Sequence, residues 1–288
     1  MFDTSSTLDD STPKPPLQGV TFGQATDVGR IREQNEDHLA AAADIGFFVV
    51  ADGVGGAPGG AEAARLATAE MLRFLRASTP VRRRSRSSGN WAFEMSPDEP
   101  PPPSEAGESP GPRLIAAALG AHQMIRTVAA RKGLFGAATT MAALWVTGDR
   151  YHIANTGDSR VYRLREDGLQ QLSKDHTLVQ EYKDIRGEPP GLWARHMENV
   201  VTQVLGGRHD RIPAVHLTSH ALTQPEVFLL CTDGLTKMVN EADIAFVLRA
   251  APTPQQAAEV LVELANDWGG VDNTTVIIVR VEPVPKSG

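Results

Sequence analysis

Aspartates close several apolar runs in widely separated parts of this chain, and each stands beside glycine, serine or asparagine. Phe47-Phe48-Val49-Val50-Ala51 runs into Asp52-Gly53, and Val227-Phe228-Leu229-Leu230-Cys231-Thr232 runs into Asp233-Gly234. Tyr151-His152-Ile153-Ala154 leads through Asn155-Thr156-Gly157 to Asp158-Ser159-Arg160, and Asp272-Asn273 precedes Thr274-Thr275-Val276-Ile277-Ile278-Val279. A short apolar run bounded in this way predicts a buried strand, with its carboxylate at the tip. Tips brought together form an all-oxygen donor set, which suits Mg²⁺ or Mn²⁺ rather than zinc.

Two further segments bear on the same chemistry. Arg30-Ile31-Arg32-Glu33-Gln34-Asn35-Glu36-Asp37 reads as a charged surface turn, or as a phosphate-gripping arginine beside metal carboxylates. A guanidinium can hold two phosphate oxygens at once, which an ammonium cannot. Asp52-Gly53-Val54-Gly55-Gly56-Ala57-Pro58-Gly59-Gly60 is glycine-rich but lacks the lysine of a P-loop and the spacing of a dinucleotide site. The eight histidines show no paired metal spacing. Cys231 has a basic residue, Lys237, six places on, but a thiolate-phosphatase cradle needs arginine there, and Asp233 disfavours a thiolate. Cys231 therefore reads as a buried structural residue.

The elements that must position these groups follow from periodicity. Strands are predicted at Thr21–Thr26, Leu39–Ala51, Thr139–Val146, Arg150–Ala154, Val161–Leu164, Val215–Thr218, Val227–Cys231 and Thr274–Val281. Helices are predicted over Gly60–Ser78, Leu114–Ala130, His176–Ile185, 241–250 and 254–268, with Arg186–Glu198 as a loop around Pro189-Pro190. Strand blocks interrupted by helix pairs imply an α+β fold, a central β-sandwich of two mainly antiparallel sheets flanked by pairs of helices. Residues 1–18 read as a flexible N-terminal arm, 19–282 as the folded domain and 283–288 as a tail. Arg82-Arg83-Arg84-Ser85-Arg86 and Pro100-Pro101-Pro102-Pro103 mark about 79–112 as a flexible insertion.

Bulk composition narrows the function classes. The chain has 288 residues, 41% of them hydrophobic, enough for a substantial core. Lys plus Arg number 28 against 35 Asp plus Glu, a net charge of -7, which argues against general nucleic-acid binding. One cysteine permits neither an intramolecular disulfide nor a thiolate zinc site. No signal peptide and no membrane span are read from the apolar runs, so a cytoplasmic location and a monomer are expected.

Arg32 through Asp37, Asp52-Gly53-Val54-Gly55-Gly56, Asn155 through Arg160, Thr232-Asp233-Gly234-Leu235 and Asp272-Asn273-Thr274-Thr275 occur in an order that resembles the metal-dependent protein phosphatases. This is the PPM family of type 2C Ser/Thr phosphatases, and the likeness is to its bacterial branch, over roughly Val20 to Val281 apart from the insertion. The resemblance implies two or three Mn²⁺ or Mg²⁺ ions. Asp52 bridges two of them and Gly53 offers its carbonyl to the first. Glu36 and Asp37 hold the second, directly or through water, and Asp233 and Asp272 complete it. Asp158 joins Asp233 at a weaker third position, Arg32 orients the phosphate, and Asn273 supports Asp272 by hydrogen bonding. It also implies hydrolysis of phosphoserine and phosphothreonine in proteins by a hydroxide held between the metals, opposing a bacterial Ser/Thr kinase. Phosphorylated proteins, and that kinase and its substrates, are the expected partners.

The chain departs from the family pattern where many members carry histidine, at Val54 or Ala57, and Gly136-Ala137-Ala138-Thr139-Thr140 replaces a Gly-x-Gly-Thr-Thr segment. Residues 175–205 match the family's flap only in part. The missing histidine motivates an alternative, a catalytically weak pseudophosphatase that binds phosphoproteins.

Overall fold

Strand β3 (Phe47–Asp52) has no polar face because both of its faces are covered. Phe47 and Val49 pack beneath a helix pair, while Phe48 and Val50 pack against a second sheet. In the computed structural model, which describes residues 19–54, 59–77, 109–208 and 211–282, this arrangement recurs across the whole molecule. Leu229 and Cys231 of β11 (Glu226–Cys231) lie under helices, whereas Phe228 and Leu230 face the opposite sheet. A strand buried on both sides reads as a continuous apolar run, which is why these segments lack alternation.

The first sheet joins β11 to β1 (Val20–Asp27), β12 (Thr274–Val281), β7 (Arg160–Arg165) and β8 (Gly168–Gln171), in the order β1-β12-β11-β7-β8. The second has the order β10-β6-β5-β3-β2, from β2 (Asp37–Ala42), β3, β5 (Met141–Thr147), β6 (Arg150–Thr156) and β10 (His216–Ala221). Every pairing in both sheets is antiparallel. A two-stranded ribbon pairs β4 (Ala138–Thr139) with β9 (Leu205–Gly206). Helices α1 (Gly60–Ala77) and α2 (Pro110–Lys132) cover the second sheet. Helices α5 (Asp233–Met238), α6 (Glu241–Ala250) and α7 (Pro254–Asp267) cover the first. The layers are therefore α-β-β-α, as the sequence predicts. Helices α3 (Leu178–Arg186) and α4 (Gly191–Met197) form an outlying pair with no buried residue, joined by the Tyr182–Trp193 ring contact.

Several boundaries are corrected. The predicted strand Leu39–Ala51 is a hairpin, β2 and β3, broken where Gly46 takes φ 69°. The predicted loop Arg186–Glu198 contains α4, whose N-cap is Pro190; a proline there gives up an N–H that the first helical turn would leave unpaired anyway. By the same reasoning α2 begins at Pro110, so the segment read as an insertion to 112 ends earlier. The remainder of that segment through 108, the arm 1–18, the tail 283–288 and Ala57 lie outside the described residues. Among the described residues no helix is long and apolar enough to cross a membrane.

Candidate metal centre

Both sheets turn their acidic tips to one rim. Asp37 opens β2 and Asp52 closes β3, and antiparallel register sets the two residues opposite each other. In the other sheet Thr232 and Asp233 follow β11, and Asp272-Asn273 precede the adjacent β12. The turn from β6 into β7, which passes from one sheet to the other, carries Asp158. Asp37 faces Asp52 across the β2–β3 register, Thr232 ties Asp37 to the β11 end, Lys237 joins Asp233 to Asp272, and Thr140 with Ser159 ties Asp52 to the Asp158 turn, so side chains far apart in sequence share one cluster.

Backbone hydrogen bonds fix Asp52 and Gly53. The Asp52 N–H donates to Thr140 Oγ1 at 3.0 Å, and its carbonyl accepts from the Thr140 N–H and from Thr139 Oγ1, both at 2.8 Å. Thr140 Oγ1 in turn pairs with Ser159 Oγ at 2.7 Å, tying Asp52 to the Asp158 turn. The Gly53 N–H donates to the Glu36 carbonyl at 3.2 Å. A Cβ on Gly53 would lie 2.7 Å from that same oxygen, so only glycine lets the two segments close up here.

Thr232 positions Asp37. Its hydroxyl donates to Asp37 Oδ2 at 2.8 Å while accepting from the Thr275 N–H at 3.0 Å. Asn273 positions the other arm. Its Oδ1 accepts from the Glu36 N–H at 2.8 Å, and its Nδ2 donates to the carbonyls of Val28 and Gln34, each at 2.9 Å. The hydrogen bond to Asp272 comes from the backbone N–H of Asn273, at 3.0 Å, so its side chain supports the Arg30–Asp37 segment rather than Asp272. On the helix side, a Cβ at Gly234 would run into the Asn273 carbonyl, which clamps the start of α5 against the β12 tip.

The charge state of the cluster follows from burial and crowding. Burial, and beyond it Asp233 and Asp272, outweigh the Thr232 hydrogen bond and push Asp37 up to about 7. Burial, then Asp233 and Asp175, push Asp158 up to about 7. Asp52 is raised well above the usual carboxylate range by burial and by Asp37, Asp233, Asp158 and Asp272. Burial also raises Glu36, against the pull of Arg32. Asp272 is lowered, because Lys237 and Arg32 overcome its burial. The Arg32 guanidinium lies 2.9 Å from Asp272 Oδ1, and the Lys237 ammonium reaches both Asp233 Oδ2 at 2.6 Å and Asp272 Oδ2 at 2.9 Å.

These donors fit divalent cations. Asp37 Oδ1 and Asp233 Oδ1 are buried with no hydrogen-bond partner, an expensive arrangement for carboxylate oxygens unless a cation meets them. The set is all oxygen, as hard ions require. Among the described residues no group of three or more His, Cys, Asp or Glu side chains is already drawn into a ligating cage; Lys237 and Arg32 engage the outer carboxylates instead.

The roles of three residues that matter here escaped the sequence reading. Thr232 was legible only as the first residue of the Thr232-Asp233-Gly234-Leu235 motif, and Lys237 only as a basic residue six places after Cys231. Asp175, which closes a bidentate pair with Arg160 (Nε to Oδ1 at 3.1 Å, Nη2 to Oδ2 at 2.6 Å) beside the Asp158 turn, entered only through the partial flap match of 175–205. At the position without histidine, the Val54 N–H donates to the Ala138 carbonyl at 2.9 Å. Cys231 is wholly buried and its thiol is pushed up to about 12 by that burial, which removes it as a nucleophile.

Residues 31–265 match the protein phosphatase 2C family. The chain is 29% identical over 263 residues to the serine/threonine protein phosphatase PstP of Mycobacterium tuberculosis, covering 91% of this chain and 45% of that protein. It thus spans less than half the length of that relative. It is 28% identical over 270 residues to the serine/threonine phosphatase stp of Listeria innocua, covering 88% of this chain and 93% of stp. Among solved structures, the catalytic domain of PstP in complex with two manganese ions is similar with a TM-score of 0.70 at 28% identity, covering 91% of this chain and 99% of that one.

Proposed function

Because the chain belongs to the protein phosphatase 2C family, we propose that it hydrolyses phosphoserine and phosphothreonine in proteins, with two or three Mn²⁺ or Mg²⁺ ions, and opposes a Ser/Thr kinase. The observation that carries this reading is the convergence of Glu36, Asp37, Asp52, Asp158, Asp233 and Asp272 on one rim, with buried carboxylate oxygens that lack donors. The PstP structure with manganese supports the choice of ion.

Glu36, Asp37, Asp52, Asp158, Asp233 and Asp272 would hold the ions, which when bound would lower the pKa of water and offset phosphoryl charge. The chain's own groups do the rest. Asp52 lies at the centre of the cluster, fixed by its backbone bonds to Thr139 and Thr140. Thr232 and Asn273 hold Asp37 and the Glu36 backbone in place, so the donors need little rearrangement. Arg32, half exposed at the edge of the cluster, grips phosphoryl oxygens and aligns phosphorus for in-line attack with departure of the Ser or Thr oxygen. The intact carboxylate set gives no support to a binding-only pseudophosphatase.

Phosphate release from a phosphothreonine peptide, measured with Mn²⁺ and with excess chelator, tests this. Release that requires the metal is the expected result. Peptide binding without release in Mn²⁺ would refute the enzymatic reading.

A further inference from the structure

Lys237 is the residue in this centre that no ligand role explains. It lies one turn beyond Asp233 on α5, and its ammonium joins two carboxylates from separate segments, Asp233 Oδ2 at 2.6 Å and Asp272 Oδ2 at 2.9 Å. Those are the two aspartates assigned to one ion under the metal-centre reading, on which this inference rests. A divalent ion on both oxygens and a monovalent ammonium between them would stand within a few ångströms of each other, in partly buried surroundings that screen the repulsion only in part. Ion and ammonium therefore exclude each other.

We propose that Lys237 is a built-in competing cation, one that bridges Asp233 and Asp272 and has to swing away before an ion can take both. The start of α5 is packed closely, with Gly234 against the Asn273 carbonyl, so the side chain is the part with room to move. Only the side chain moves, and a lysine stem allows that where a forked guanidinium would be slower to give way. It also has somewhere to go. Lys237 lines a cleft of about 540 Å³ whose wall also includes Glu198, a carboxylate outside the cluster that could receive the displaced ammonium. The consequence is twofold. The ammonium offsets repulsion within the cluster before ions arrive, and it weakens ion binding at the position Asp233 and Asp272 share. Lys237 is thus a positioning residue that sets metal affinity, and it makes that position the readily exchanged one.

Calorimetric titration of the chelator-stripped full chain with Mn²⁺ tests this without reference to turnover. Lys237→Met should bind Mn²⁺ at least about tenfold more tightly at one position, the scale expected when a charge-assisted pair no longer competes. The stripped variant should also melt at a lower temperature than the stripped parent. Lys183→Met is the control for bulk charge: Lys183 lines the same cleft but pairs with Glu188 at 3.5 Å, so its removal should leave Mn²⁺ affinity within about twofold. Should Lys237→Met not fold, Lys237→Gln serves with the same expectation. Equal or weaker Mn²⁺ binding by the Lys237 variant, or an equal gain in the Lys183 variant, overturns the proposal. If the parent itself takes up no Mn²⁺, the metal-centre reading falls and this inference with it.

Discussion

The side-chain oxygen of Asn273 accepts the backbone N–H of Glu36 at 2.8 Å, across 237 positions of sequence. This contact, with the two Nδ2 bonds to Val28 and Gln34, makes one residue the fastener between the β12 tip and the segment that carries Arg32, Glu36 and Asp37. Asn273→Ala leaves three backbone groups to find water or stay unpaired. We expect it to weaken metal affinity about 10- to 100-fold, the usual cost of losing a group that orients ligands. Peptide turnover titrated with Mn²⁺ checks this: the variant should need more metal yet recover much of its rate at saturation. A variant that titrates like the parent would show the fastener to be dispensable.

Thr232 makes a similar link between the β11 tip and β2, donating to Asp37 Oδ2 and accepting from the Thr275 N–H. Thr232→Val keeps the shape and removes both bonds, leaving Asp37 with a weaker hold, since Oδ1 already lacks a close partner and only Thr275 remains nearby. Turnover should fall by roughly tenfold or more, and Thr232→Ser should restore most of it by returning the hydroxyl. Failure of serine to rescue would point to packing rather than orientation.

Much of this was readable from the chain because the physics is local. An apolar run buried on both faces and cut off by Asp-Gly marks a strand end, and β3 and β11 both obey that rule. Which ends meet is a matter of sheet order, and no periodicity reports that the β2–β3 end and the β11–β12 end share a rim. The glycine of Asp233-Gly234 could pass for turn chemistry; its actual cause is the Asn273 carbonyl, 39 positions downstream and invisible to local pattern. The hairpin turn before Gly46 was hidden because Leu39 through Ala51 is apolar almost throughout, and α4 was hidden because Pro189-Pro190 signals a break whether or not a helix follows. Lys237 was visible only as a basic residue after Cys231, since its role comes from a carboxylate on another segment.

Cys231 and Asp233 lie two residues apart and separate two kinds of phosphatase chemistry. The thiol sits under the helices with its pKa near 12, whereas Asp233 holds a bare buried oxygen at the rim. Cys231→Ser should keep turnover within a few-fold, at a modest stability cost for a hydroxyl in an apolar site of about 1–3 kcal/mol. Asp233→Asn should lose at least about a hundredfold in turnover while staying folded. Alkylation of the native chain at pH 7 should leave Cys231 unmodified. The opposite pair of results would overturn the metal-centred chemistry altogether.

Asp158 offers a test through stability instead of rate. Burial, then Asp233 and Asp175, lift its carboxyl from the ordinary 3.8 to about 7. Between roughly pH 4 and pH 7 the folded chain keeps a proton that the unfolded chain has lost, so this residue's contribution to stability declines as pH rises through that window. Above pH 7 both states are ionised and the penalty is constant. Asp158→Asn carries no such penalty. In chelator, urea unfolding at pH 5 should show a smaller advantage for the variant than at pH 8, where it should be more stable than the parent by roughly 1–3 kcal/mol. Added Mn²⁺ should reverse the order, because the ion stabilises the ionised parent more than the amide. An advantage of the variant that does not grow between pH 5 and pH 8 would mean that Asp158 is not held protonated by its neighbours, and the crowding argument for the whole cluster would weaken with it.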